Sequence, residues 1–207
     1  AVYIYLKNCY GKILGADDVR TEASPNVIIF WTGRIPAKEG ISLNELRDQV
    51  CAEKEYMINL RRDFHRHPEL SLQERRTAGV IEQELERFEI SHTRIGATGV
   101  LGILRGTQSG SGVVALRADI DALPIQETND VEYRSQTDGI MHACGHDAHT
   151  ASLLGAAKVL SQNRDRFGGE LRFLFQPAEE TGKGAPDFIN AGALDGAERI
   201  LGLHSAP

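Results

Sequence analysis

The sequence has no run of lysines and arginines, and its formal net charge is −6. A nucleic-acid-binding surface needs a clustered basic patch to neutralise phosphates, so that class of function is set aside. Long apolar stretches are also lacking. The runs at 2–6 and 27–31 are five residues each, whereas about 20 are needed to cross a bilayer. The first of them has neither the basic flank nor the small-residue cleavage site of a secretory signal. Cysteine is scarce: Cys9, Cys51 and Cys144 are odd in number and widely spaced. That does not read as a disulfide framework and points to a reducing, cytoplasmic location. Internal repeats and low-complexity tracts are missing too. What remains is ordinary globular composition, 41% hydrophobic and 25% charged over 207 residues. It suits one α/β domain, or one domain with an attached segment.

Residues 1–41 read as that appended segment, of unknown role. Two apolar patches there are broken by Gly15, Pro25, Gly33, Pro36 and Gly40 without sustained period. Ser42 followed by Glu45 then makes a capping-box pattern. Leu43, Leu46, Val50, Met57, Leu60 and Phe64 follow at helical spacing, interrupted only by Glu53, and predict one long helix ended by Pro68. A second amphipathic helix is expected over 73–88. Beyond Ile95 the texture changes. The apolar runs 99–104 and 113–116, separated by a Gly/Ser turn, predict adjacent strands in a hairpin. A helix after His146, a strand at 171–175, a helix at 185–190 and a strand at 200–203 complete the reading. The expected fold class is α/β: a largely parallel mixed sheet with helices on both faces.

Three of the predicted strands end in polar residues of an unusual kind. Residues 113–116 run into Arg117-Ala118-Asp119-Ile120-Asp121, residues 171–175 into Gln176-Pro177-Ala178-Glu179-Glu180, and residues 200–203 end at His204. In open α/β sheets the ligand site lies beyond the carboxyl ends of the strands, so these side chains can converge on one crevice. Taken singly, each can equally meet solvent.

The densest cluster is Met141-His142-Ala143-Cys144-Gly145-His146-Asp147-Ala148-His149. Cys144 and His146 stand two apart around a glycine, a spacing that can point a thiolate and an imidazole at one metal or metal pair. A helix starting near Asp147 would add a positive dipole end that favours thiolate. Zinc accepts this mixture of sulfur, nitrogen and oxygen donors, and manganese and cobalt fit as well. Alone, Cys144 would be a small buried hydrophobe, His142 and His149 satisfied histidines, and Asp147 a helix cap. Glu179 and Glu180 are adjacent, and neighbours in extended chain point in opposite directions, so they are expected to have separate roles. One carboxylate can bind a metal while the other takes a proton from water; the bland alternative is a solvated acidic pair.

Together these stretches resemble the successive signatures of one family. They are Arg117 to Ile125, Met141 to His149, Phe175-Gln-Pro-Ala-Glu-Glu180 and Gly202-Leu203-His204, preceded by Arg62-Asp63-Phe64-His65-Arg66-His67-Pro68-Glu69-Leu70. The family is that of metal-dependent amidohydrolases of the aminoacylase–carboxypeptidase type, including hippurate hydrolases, auxin-conjugate hydrolases and N-acyl-amino-acid deacylases. The resemblance covers 43–207 and implies that 42–207 form the N-terminal part of the catalytic domain. Family members continue into a lid and dimerisation domain and return with a last histidine ligand; no histidine follows His204 here. Both an active chain and an inactive fragment stay open. The resemblance implies two divalent metal ions, zinc or manganese with cobalt as a third option, held by Cys144, His146, Glu180 and His204. It casts Glu179 as the general base for a metal-activated water, Asp119 as a residue holding the ligands in place, and His142 and His149 as supporting or substrate contacts. The implied substrate is a small N-acyl amino acid or similar amide conjugate, without nucleic acid or membrane as partner, and the full-length protein is expected to be a homodimer. Two other readings compete. A cysteine hydrolase using Cys144 leaves Glu179, Glu180 and His204 without work. A structural metal-binding module has no need of Glu179.

Overall fold

The computed structural model describes residues 2–8 and 42–205. The appended segment assigned to 1–41 lies outside the described residues except for strand β1 (Val2–Asn8). The other strands are β2 (Ser91–Ile95), β3 (Gly99–Arg105), β4 (Gln108–Asp119), β5 (Gly168–Gln176) and β6 (Arg199–Ser205). The helices are α1 (Leu43–Ala52), α2 (Lys54–Arg66), α3 (Arg75–Arg87), α4 (His146–Gln162) and α5 (Ala185–Asn190).

Ser42 caps α1 as its sequence position suggests, its hydroxyl accepting the Glu45 amide at 3.1 Å. The Glu45 carboxylate faces Arg166 at 3.5 Å instead of closing the second half of the box. The single long helix expected from Ser42 to Pro68 is two helices. Glu53 breaks it at φ −86° and ψ 8°, and its carboxylate accepts a 2.6 Å hydrogen bond from Lys158 of α4. The second helix stops at Arg66, two residues before Pro68, because the residue preceding a proline is pushed out of the helical region.

The strands form one mixed sheet in the order β1-β6-β4-β5-β3-β2. Strand β4 runs parallel to both β5 and β6, while the β1/β6, β2/β3 and β3/β5 pairs are antiparallel. The hairpin expected between 99–104 and 113–116 does not form, because β5 lies between β3 and β4. The turn residues bond to the start of β5: Gly106 N–H donates to the Gly169 carbonyl (3.0 Å) and Gln108 N–H to that of Phe167 (3.1 Å). Phe173, Leu174 and Phe175 are buried on both faces, the pattern of a central strand.

Helices cover both faces unequally. Helices α2, α3 and α4 pack over the larger core, which includes Phe64, Ile81, Leu85, Leu154, Phe173 and Phe175. On the other face, Leu101, Leu174 and Phe188 form a smaller cluster under α5. The alternation along β5 sends Phe173 and Phe175 to one core and Leu174 to the other. This arrangement brings the carboxyl ends of three mutually parallel strands, β4, β5 and β6, to one edge, beside the amino end of α4. Removing the wholly buried Phe173 ring leaves a cavity in the larger core. Phe173→Ala is expected to cost about 3–5 kcal/mol in urea unfolding; a loss under about 1 kcal/mol would mean that this face is not the packed core.

Candidate metal centre

Asp119 is the last residue of β4, His146 the first of α4, and His204 lies near the end of β6. Glu179 and Glu180 follow β5 after a turn. Cys144 precedes α4, across Gly145. At Gly145 φ is +85°, and a Cβ would sit 2.5 Å from the Ser205 hydroxyl, so both the left-handed backbone and the close approach call for glycine. The turn lets Cys144 and His146 face one centre. The Cys144 sulfur is 3.3 Å from His204 Nε2. His146 Nε2 lies 3.6 Å from Asp119 Oδ2, 3.8 Å from Glu180 Oε1 and 3.9 Å from Glu179 Oε2. Ligand atoms of Cys144, His146 and Glu180 fall within 4.8 Å of one another, as do those of Asp119, His146, His149 and His204. Asp119, Cys144, His146, Glu179, Glu180 and His204 are therefore brought together.

The neighbours Glu179 and Glu180 do not diverge as an extended chain would require. Both reach the same imidazole, because the backbone turns at Ala178, where φ is +52°. Asp121, named from the sequence only as part of a strand-end stretch and given no role of its own, holds this turn. Its Oδ1 accepts the Glu179 amide (3.0 Å) and its Oδ2 accepts the Glu180 amide (3.1 Å) and the Ser71 hydroxyl (2.7 Å). The available signal was its place two residues after Asp119 in the same strand-end motif.

Hydrogen bonding fixes the tautomers. His146 Nδ1–H donates to the Asp121 carbonyl oxygen at 2.9 Å, which leaves the Nε2 lone pair aimed into the cluster. Among the described residues, that Nε2 and Glu180 Oε1 are both buried without a hydrogen-bond partner. Orphaned nitrogen and oxygen acceptors beside a thiol and a second imidazole fit a divalent cation. His149 differs. Its Nε2 accepts the Ser205 amide (2.8 Å), so its Nδ1–H donates to Asp119 Oδ1 (2.6 Å), and both nitrogens are committed. His149 thereby orients Asp119, whose other oxygen accepts from Arg117 at 2.7 Å.

Charges around the cluster point the same way. Burial opposes ionisation of Asp119, but His149, Arg117 and His146 outweigh it and lower the acid from 3.8 to about 2. Burial also opposes protonation of His146, yet Asp121, Asp119 and Glu180 overcome it and raise its proton affinity. The centre thus attracts positive charge. Burial, then Glu180 and Asp119, push the Cys144 thiol from 9.0 up to about 12. The expected help from α4 is outweighed, since Cys144 lies outside the helix and among carboxylates. Such a thiol is a poor free nucleophile near neutral pH, which counts against the cysteine-hydrolase reading, whereas a bound cation would favour its thiolate.

A second polar network, not anticipated from sequence, backs the centre. Asp147 is not spent on capping α4. Its Oδ2 accepts from Arg61 Nε (3.1 Å) and pairs with His65 Nδ1 (2.8 Å). The other nitrogen of His65 lies 3.1 Å from Glu127 Oε1. His142 packs beside it, buried, with no hydrogen-bond partner for either nitrogen among the described residues. Burial pushes His142 down to about 4, against the attraction of Asp147. The bond to Asp147 leads in raising His65 above 6.5. Asp147 and Glu127 are both lowered: burial opposes this, and the hydrogen bonds to His65 and, for Glu127, to the Ser135 amide prevail.

A group that holds its proton more tightly when folded stabilises fully below its unfolded value and loses this as pH rises through the raised value. That is His65. The two carboxylates contribute above their unfolded values and lose it as pH falls through the lowered ones. The Tm gap between wild type and His65→Gln should therefore be widest near about pH 6 and narrow toward both alkaline and acid pH. A gap independent of pH would mean that His65 is not held as an imidazolium.

Residues 115–207 match the model of Peptidase family M20/M25/M40. An N-acetylcysteine deacetylase of Bacillus subtilis (strain 168) is 49% identical over 153 residues, covering 73% of this chain and 40% of that protein. Thermostable carboxypeptidase 2 of Saccharolobus solfataricus is 43% identical over 166 residues, covering 78% of this chain and 42% of its own. A crystal structure from Bacillus subtilis, described as a dinuclear metal binding peptidase from the M20 family, superposes with a TM-score of 0.68 at 47% identity, covering 71% of this chain and 42% of that one. The chain thus spans about two-fifths of the length of the curated relatives it matches. This matched segment, similar to Peptidase family M20/M25/M40, carries the ends of β4, α4, β5 and β6 and the side chains gathered there.

Proposed function

We propose that the chain contributes the metal centre of a hydrolase that cleaves the amide bond of a small N-acyl amino acid or similar conjugate, with Glu179 as general base. The observation that carries this reading is the inequality of the two adjacent carboxylates. Glu180 has a buried Oε1 with no hydrogen-bond partner among the described residues and a side chain 21% exposed, whereas the Glu179 side chain is 37% exposed. Both stand within 4 Å of His146 Nε2. The first fits a ligand and the second an acid–base group open to substrate. A purely structural site has no use for the second.

Cys144, His146, Glu180 and His204 would hold two divalent ions, zinc or manganese, with cobalt also compatible with this donor set. Bound there, the ions supply Lewis acidity, polarising the amide carbonyl and making water a stronger acid near neutral pH. Glu179 receives the proton of the attacking water as its oxygen bonds to the carbonyl carbon. When the C–N bond breaks and its electron pair stays on nitrogen, Glu179 returns that proton to the departing amine. Asp119 keeps His149 and Arg117 fixed around the ligands, a task in which supporting hydrogen bonds set the orientation of the ligating groups.

The relative named for deacetylation supports the N-acyl substrate class, and the carboxypeptidase marks its peptide-cleaving boundary. The test is hydrolysis of N-acetyl and N-benzoyl amino acids by the complete polypeptide carrying this chain. Glu179→Gln should lower kcat by about 10²–10⁴-fold with metal content unchanged. Undiminished turnover in that variant would remove Glu179 from the chemistry, and with it the proposed mechanism.

A further inference from the structure

We propose that Glu74 is a positioning residue for the Glu179–Glu180 pair, fixing from the start of α3 the turn that aims both carboxylates into the metal centre. The inference rests on the role given to that pair above. Glu74 is fully buried, at 0% exposure. A carboxylate is costly to bury unless its oxygens are hydrogen-bonded, so its partners show where it is needed. Its Oε1 accepts the backbone N–H of Ala178 at 2.9 Å, and its Oε2 accepts the hydroxyl of Thr98, also wholly buried, at 2.7 Å.

The local task open to Glu74 is already filled. It occupies the position before α3 but makes no side-chain capping bond. Glu69 caps that helix instead, taking the amides of Arg76 (3.0 Å) and Thr77 (2.8 Å). Glu74 is thereby left to reach a backbone 104 positions away.

The backbone it reaches is the one that needs holding. Ala178 sits at φ +52°, a left-handed conformation that costs a residue with a Cβ and persists only where its surroundings enforce it. Three successive amides are gripped by two buried carboxylates: Ala178 by Glu74, then Glu179 and Glu180 by Asp121. The turn closes with the Gly182 amide on the Glu179 carbonyl (2.9 Å) and the Lys183 amide on the Ala178 carbonyl (3.1 Å). Extended backbone would send the two side chains apart; this turn brings their oxygens to 3.9 Å and 3.8 Å from one imidazole nitrogen. Glu74 holds the first amide of the turn and so sets the direction in which Glu179 and Glu180 leave it.

The experiment titrates the metal-free intact protein with cobalt(II), following the thiolate-to-cobalt absorption of Cys144, in wild type and in Glu74→Ala, Glu74→Asp, Glu74→Gln and Glu180→Ala. Glu180→Ala is the control for the centre itself and should weaken cobalt binding at least about tenfold. Glu74→Ala should weaken it about 10–100-fold, the range for groups that support ligands. Glu74→Gln keeps an acceptor for the Ala178 amide and should bind within about threefold of wild type. Should Glu74→Ala not fold, Glu74→Asp carries the same expected loss, because its oxygens are drawn back by one methylene. A purely structural role would lower Tm in these variants and leave cobalt affinity, measured well below Tm, unchanged. Wild-type affinity in Glu74→Ala or Glu74→Asp alongside a weakened Glu180→Ala would overturn the proposal, as would failure of Glu74→Gln to restore binding. Full cobalt affinity in Glu180→Ala would overturn the reading of the pair, and the role of Glu74 with it.

Discussion

The crowding of carboxylates around His146 is the constraint on which the rest of the site depends. Asp119 and Asp121 are almost wholly buried, and Glu179 and Glu180 close the same space. Buried negative charge has to be answered by hydrogen-bond donors or by cations. Asp119 is answered by Arg117 and His149, and Asp121 by Ser71 and two backbone amides. Among the described residues, neither Glu180 Oε1 nor His146 Nε2 has a hydrogen-bond partner. These two atoms, beside the Cys144 thiol that burial and the same carboxylates push up, define a place for positive charge.

The fold supplies that crowding through its parallel strands. Because β4 pairs in parallel with both β5 and β6, three strand ends meet at one edge, and α4 begins against them. Each end brings one part of the chemistry: Asp119 and Asp121 from β4, the glutamate pair from the turn after β5, and His204 from β6. The antiparallel strands β2 and β3 extend the sheet away from the site, and Thr98 in the turn between them anchors Glu74. Support for the centre thus reaches back into α3 on one side and, through His65 and Asp147, into α2 on the other.

The sequence made the centre legible because its chemistry is local: Cys144 and His146 share one turn, and each remaining residue closes an apolar run. The bounds of α5 and the existence of α4 and β6 were readable for the same reason. The residues that were missed depend on partners far along the chain. The hairpin expectation failed because the choice of β5 as neighbour for both β3 and β4 is a long-range one. Strand β2 escaped notice because Ser91, His92, Thr93 and Arg94 are polar residues on a sheet edge. His65 meets Asp147 across 82 positions, and Glu74 meets Ala178 across 104. No periodicity marks a polar residue whose partner lies that far away. At the break, Glu53 is likewise tied to a residue on another helix, Lys158.

The measurement closest to the central claim is the transition-metal content of protein purified without chelator, for wild type and for the Cys144→Ala/His146→Ala variant. Bound metal in the wild type that disappears from an equally folded variant is the expected result. Equal metal content in the two, or a folded wild type that takes up no zinc, manganese or cobalt when offered them, would contradict the assignment of this cluster as a metal centre.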